Sequence, residues 1–213
     1  MKTTKLQKLL SIFCNLLILY WESIALPISW EGVGMEMFTF YTENSNLFST
    51  LACALMAAAQ IGALLTGGEV PRWAKTLKYM STCCLMLTFL TVVFVLAPIY
   101  GPGGYYVLLL TGSMLYHHFL NPVVSFFSLV LFERAPRLPR RAALYALVPT
   151  LLYGTAALAM NLAQVLEGPY PFFKIYEQPV WVSCLWAVVL LGGSFLIDRI
   201  VWRLNTGKVP ART

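Results

Sequence analysis

The sequence predicts an all-α membrane protein, a bundle of six transmembrane helices with both termini in the cytoplasm. Three observations predict it. The chain is 59% hydrophobic and only 11% charged, with a mean hydropathy of +0.71, whereas soluble domains are nearer half apolar and a quarter charged. Apolar runs near the length needed to cross a bilayer recur six times, at about 9–28, 38–65, 77–99, 105–132, 142–165 and 179–203. The basic residues gather in alternate breaks between these runs, the bias that orients a protein in its membrane.

Taken in order, span one follows Lys2, Lys5 and Lys8 and ends at LPISWEG. Its basic start and small residues Ser23 and Ala25 also fit a signal peptide, but Glu22 and the full length suit a retained helix better. Span two opens at FYTENSNLFST and closes at TGGEVPR, where Arg72, Lys75 and Lys78 cluster. Span three runs to APIYGPGG. Span four ends in ERAPRLPRR, which carries Arg134, Arg137, Arg140 and Arg141. Span five is followed by EGPYPFFKIYEQP with Lys174, and span six by a tail in which Arg199, Arg203, Lys208 and Arg212 close the chain. That puts 14 of the 15 basic residues on one side, so the positive-inside rule gives cytoplasmic termini and an integral, multi-pass location in the plasma or cell inner membrane. The net charge of +6 then reflects topology; no cationic stripe with interleaved aromatics marks a nucleic-acid partner. No break is long enough for a second domain and no internal repeat is visible, so residues 1–213 read as a single membrane domain. The partner this implies is the bilayer itself.

Aromatic residues crowd the side opposite the basic ones: Trp30, Phe38, Phe40 and Tyr41; Tyr100, Tyr105 and Tyr106; Tyr170, Phe172, Phe173, Tyr176 and Trp181. They form an interfacial belt or a mouth that admits acyl chains from the outer leaflet. The cysteines, 14, 53, 83, 84 and 184, lie inside spans with no metal-type spacing, which suits small buried hydrophobes rather than disulfides.

Polar side chains in a lipid-embedded bundle face inward, so their helical phase is informative. Along span two, Thr42, Ser45, Asn46, Ser49, Cys53 and Gln60 share one face. Span one aligns Ser11, Asn15 and Glu22. Span four aligns Ser113, His117, Asn121 and Ser125, with Ser128 in the same sector. Small polar residues commonly serve as interhelical glue. Glu22 is more than that, because an ionised carboxylate at this depth costs about 2.5–3.5 kcal/mol. The stripes together describe a polar cavity in the outer half of the bundle.

Both histidines of the chain, His117 and His118, sit within SMLYHHFLNPVVSF. Adjacent helical residues point about 100° apart, so the two cannot share a direction. Pro122 lacks an N–H and leaves the carbonyl of residue 118 without its helical donor. An imidazole and a hydroxyl are the minimum for acyl transfer through a covalent intermediate. Thr42 suits the nucleophile because it lies in the first turn of a helix, whose positive end stabilises an anion. Asn46 and Ser45 are candidate oxyanion donors, and Glu22 or Asn121 candidates to orient the histidine. Two histidines without an acidic cluster are poor zinc chemistry, so neither a metal nor another cofactor is expected.

YTENSN at the start of span two, with H-x-x-x-P in span four and FE at its end, resembles the androgen-induced/androgen-dependent membrane hydrolases and their small bacterial six-span relatives. The resembling residues are Thr42, Ser45, Asn46, His118, Pro122 and Glu133. The resemblance implies a threonine nucleophile at Thr42, a base at His118 and hydrolysis of fatty acid esters of hydroxy fatty acids. The spacing to proline thus selects His118, whereas helical phase selects His117; His118 is taken as the base, with His117 the second candidate. Depth also enters. Thr42 would lie roughly 8 Å along a span starting near Met37, and His118 roughly 20 Å along one starting near Tyr105, so the pair shares a proton only if helix tilt, an earlier start of span two or a later start of span four closes that gap. The competing readings are an acyltransferase using the same site, with an alcohol or lysolipid in place of water, and a non-enzymatic protein that binds a lipid or small amphipathic ligand.

Overall fold

The computed structural model describes residues 4–135 and 138–206. Lys2, Arg137, Lys208 and Arg212 of the basic set therefore lie outside the described residues. Within them the chain is helical with no strand, and six helices are long and apolar enough to cross a membrane.

Helix α1 (Lys5–Val33) starts at a capping box. Thr4 Oγ1 accepts from the Gln7 N–H at 3.2 Å, and Gln7 Oε1 accepts from the Thr4 N–H at 3.0 Å, so two orphan donors are satisfied reciprocally. Ser11, Asn15, Ile18, Glu22, Ala25 and Ser29 form its buried face. Gly34 ends the helix with φ at +56°, a conformation that favours glycine. A 3-10 turn over Gly34–Thr39 leads into α2 (Tyr41–Leu65). Helix α3 (Arg72–Tyr100) follows.

The sequence reads span four as one run from 105 to 132, but the structure divides it. A short helix α4 (Gly104–Leu110) ends at Thr111, which is extended at φ −121° and ψ 146°. Gly112, at φ +50°, turns the chain, and α5 (Gly112–Leu131) is the segment long enough to span. Apolar periodicity cannot register a break that keeps both sides apolar. The last two helices are α6 (Ala142–Leu162) and α7 (Val180–Thr206).

Two π turns, Val92–Leu96 in α3 and Leu115–Leu120 in α5, share one cause. Each runs into a proline, Pro98 or Pro122, whose ring would clash with the carbonyl four residues earlier. Widening the turn relieves that clash. The N–H of Ala97 bonds to Val92 O and that of Asn121 to Tyr116 O, each five residues back.

Helix α3 is the hub, packing against α2, α5, α6 and α7, while α1 packs against α2 and α5. Hydrogen bonds gather the start of α1 and the end of α7 at one end of the bundle. Lys8 Nζ donates to Ala63 O (3.1 Å) and Gly68 O (2.8 Å) near the end of α2. Asn205 Nδ2 donates to Leu129 O (2.9 Å) at the end of α5. Lys78, counted from sequence among the loop charges, is instead fully buried in α3, where Nζ lies 3.0 Å from Ser125 Oγ and 3.1 Å from Cys53 Sγ. It falls on the inward phase of a helix that begins at Arg72, so it belongs to the interior and not to the charged loop.

Candidate active site

At the end of the bundle away from the start of α1 and the end of α7, α2 begins with its second residue, Thr42, buried. Asn44 Nδ2 donates to Phe38 O and Phe40 O, each at 2.7 Å, which fixes the approach of the chain. The first-turn amides have no intrahelical acceptor; that of Thr42 donates to the hydroxyl of Tyr170 at 3.3 Å.

The break at Thr111 resolves the depth problem. His118 is six residues from the start of α5 and meets Thr42 directly, with Oγ1 to Nε2 at 3.0 Å. His118 Nδ1 is 2.7 Å from Leu108 O, a carbonyl in the last turn of α4 that has no helical donor. A carbonyl can only accept, so Nδ1 carries the proton and Nε2 offers its lone pair to the threonine hydroxyl. Hydroxyl, imidazole and orienting acceptor stand in the order that nucleophilic catalysis uses, with a backbone carbonyl as the third member.

His117 stands elsewhere. Its Nε2 is 3.3 Å from Glu22 Oε2 and its Nδ1 3.9 Å from Glu43 Oε1, close enough for charge to matter but not aligned as hydrogen bonds. Asn121 Nδ2 donates to Glu22 Oε2 (3.2 Å) and Asn46 Oδ1 (3.0 Å). Glu22 and Asn121, candidates to orient the catalytic imidazole, thus attend His117, not His118. Asn46 Nδ2 donates to Thr42 O (2.9 Å) and His117 O (3.3 Å). Ser45 Oγ donates to Thr42 O at 2.9 Å and touches Thr88 Oγ1 at 3.0 Å. These two residues clamp backbone and join α2 to α3 and α5. Among the described residues, no group of three or more His, Cys, Asp and Glu side chains stands ready to hold a metal ion.

Thr42 lies on the wall of a cavity of about 400 Å³ between α3, α6 and α7, roofed by the 170–175 loop. The lining is overwhelmingly apolar, with Leu87, Leu96, Leu158, Trp186 and Leu190 representative. A hydroxyl on an apolar cavity wall, with an imidazole behind it, is a geometry that fits an acyl group whose chain occupies the cavity.

Sequence reasoning missed two parts, the carbonyl of Leu108 and the hydroxyl of Tyr170. The first depends on a break that hydropathy hides. The second sits in a loop with no periodicity, where Tyr170 reads simply as one of a group of aromatics. No family model matches the chain, nor does any curated protein or solved structure. Fold and composition define a multi-pass α-helical membrane protein.

Proposed function

We infer that this protein is an intramembrane lipid ester hydrolase with Thr42 as nucleophile and His118 as base. The observation that carries the reading is the 3.0 Å contact between Thr42 Oγ1 and His118 Nε2, with Nδ1 anchored on Leu108 O. His118 Nε2 takes the hydroxyl proton as Oγ1 bonds to the ester carbonyl carbon. The tetrahedral intermediate collapses, the ester C–O bond breaks, and His118 returns the proton to the departing alcohol. Water then attacks the acyl-threonine with His118 again as base, releasing the fatty acid and restoring Thr42. The apolar cavity beside Thr42 favours long-chain acyl esters. Resemblance to the androgen-induced/androgen-dependent hydrolases supports fatty acid esters of hydroxy fatty acids within that class. Both termini are assigned to the cytoplasm by the positive-inside rule, which sets the site toward the outer leaflet.

The test is turnover of long-chain esters by detergent-purified protein, beside Thr42→Ala and His118→Ala. Each variant is expected to lose on the order of 10³-fold or more in kcat. Turnover indifferent to both substitutions contradicts the site. An acceptor alcohol that diverts most product to a new ester would favour acyl transfer, and absence of turnover with co-purified lipid would favour simple binding.

A further inference from the structure

An acyl-transfer site needs hydrogen-bond donors where the carbonyl oxygen becomes an anion, and the side chains beside Thr42 leave few free. Both amide hydrogens of Asn46 go to carbonyls, those of Thr42 and His117. Ser45 gives its hydrogen to Thr42 O, and Asn121 gives its two to Glu22 and Asn46. Three tyrosines line the cavity beside Thr42. Tyr41 OH is paired with Thr150 Oγ1 at 2.8 Å, and Tyr153 OH donates to Thr39 O at 2.8 Å. Tyr170 OH is directed at the nucleophile itself, 3.4 Å from Thr42 Oγ1 and 3.3 Å from Thr42 N.

We propose that the Tyr170 hydroxyl is the oxyanion donor of this site, a catalytic role that rests on the hydrolase reading. Its oxygen accepts the Thr42 N–H, an amide at the positive end of α2, and that bond polarises the phenol toward donation. The Thr42 hydroxyl points its hydrogen at His118, so the Tyr170 hydrogen is free to turn to Thr42 Oγ1 at rest. On attack the O–H turns its hydrogen bond from Thr42 Oγ1 to the new oxyanion, one bond away from the attacked carbon. No proton leaves the phenol; the tyrosine lends a hydrogen bond and takes it back on collapse. Burial raises the phenol to about 12, against hydrogen bonding to Thr42 that pulls it down, so the hydrogen is present at neutral pH.

The ring is held for this. Tyr170 stacks on Phe172 with centroids 5.0 Å apart at 17°, and Phe40 meets its edge at 6.0 Å. A donor fixed before the reaction need not reorganise during it. Gly168 lets the loop close this tightly: a Cβ there would lie 2.4 Å from the backbone carbonyl atoms of Phe173. No side chain fits without displacing the turn that carries Tyr170.

The experiment compares oxo and thiono long-chain esters on the full-length protein in detergent, native and Tyr170→Phe. Sulfur accepts hydrogen bonds weakly, so the oxo-over-thiono rate ratio reports the oxyanion donor itself. Tyr170→Phe is expected to lower oxo-ester kcat about a hundredfold, with KM changed little, and to collapse the ratio. An unchanged kcat, or a lower kcat with an unchanged ratio, overturns the proposal. Replacing Tyr170 by 3,5-difluorotyrosine keeps the ring and its packing if the phenylalanine variant misfolds. Turnover should then fall as pH rises through the lower pKa of the fluorinated phenol, and a pH profile identical to the native one overturns the proposal. Native turnover lost in Thr42→Ala but kept in Tyr170→Phe sinks Tyr170 alone; native protein inert toward every ester sinks the hydrolase reading with it.

Discussion

His117 and His118 are neighbours in the chain and serve different surroundings. His118 has a hydroxyl on one nitrogen and a carbonyl on the other. His117 has two buried carboxyl groups, Glu22 and Glu43, for neighbours. Helical phase places His117 in line with Asn121, and the structure has it there; Thr42 simply lies off that line. The H-x-x-x-P spacing points to His118, the imidazole that faces the threonine. Substituting the two should therefore separate them by kinetics. His118→Ala is expected to abolish turnover and to cost roughly 1–3 kcal/mol through the two hydrogen bonds it leaves unmade. His117→Ala should leave most of kcat but lower stability by roughly 1–3 kcal/mol, because two buried acids lose the group between them. Thermal unfolding and ester kinetics on both variants check this, and a His117→Ala protein that is stable but inert would reverse the assignment.

At the scale of elements, α5 matters most. Its start is set by Thr111 and Gly112, and its first turns are widened before Pro122. Six spans could be read from composition because burial in lipid demands long apolar runs. The inward faces of α1, α2 and α5 could be read from polar phase, since Glu22, Asn46 and Asn121 have nowhere else to go. The break at Thr111 could not, because Leu110, Thr111 and Gly112 carry no polarity signal and helix propensity alone does not stop a span in lipid. Without that break His118 would sit too deep for Thr42. Pro122→Ala restores the missing N–H and permits an ordinary turn, changing the register of residues upstream by one. Turnover is expected to fall at least about tenfold, as His118 rotates off Thr42, while helix content by circular dichroism stays the same. Full activity in that variant would mean the wide turn does not position the base.

At the scale of the molecule, two subassemblies divide the work. Helices α1, α2, α3 and α5 enclose the polar seam with Glu22, His117, Lys78 and Glu133. Helices α6 and α7 lean on α3 and leave the apolar cavity between. Thr42 stands where seam and cavity meet, with His118 on the polar side and the cavity on the apolar one. Filling that cavity with Ala187→Trp should shift preference from long to short acyl esters by an order of magnitude or more in kcat/KM, leaving hydrolysis of short esters intact. A chain-length profile unchanged by the substitution would place the acyl group elsewhere.

The central claim is that Thr42 carries the acyl group. Acid quenching during turnover of a slow long-chain ester, followed by mass spectrometry of the peptide that contains residue 42, measures this most directly. The expected result is an acyl adduct on Thr42 that accumulates in the native protein and is absent from Thr42→Ala and His118→Ala. Steady turnover with no adduct under burst conditions, or an adduct on a different side chain, would contradict it.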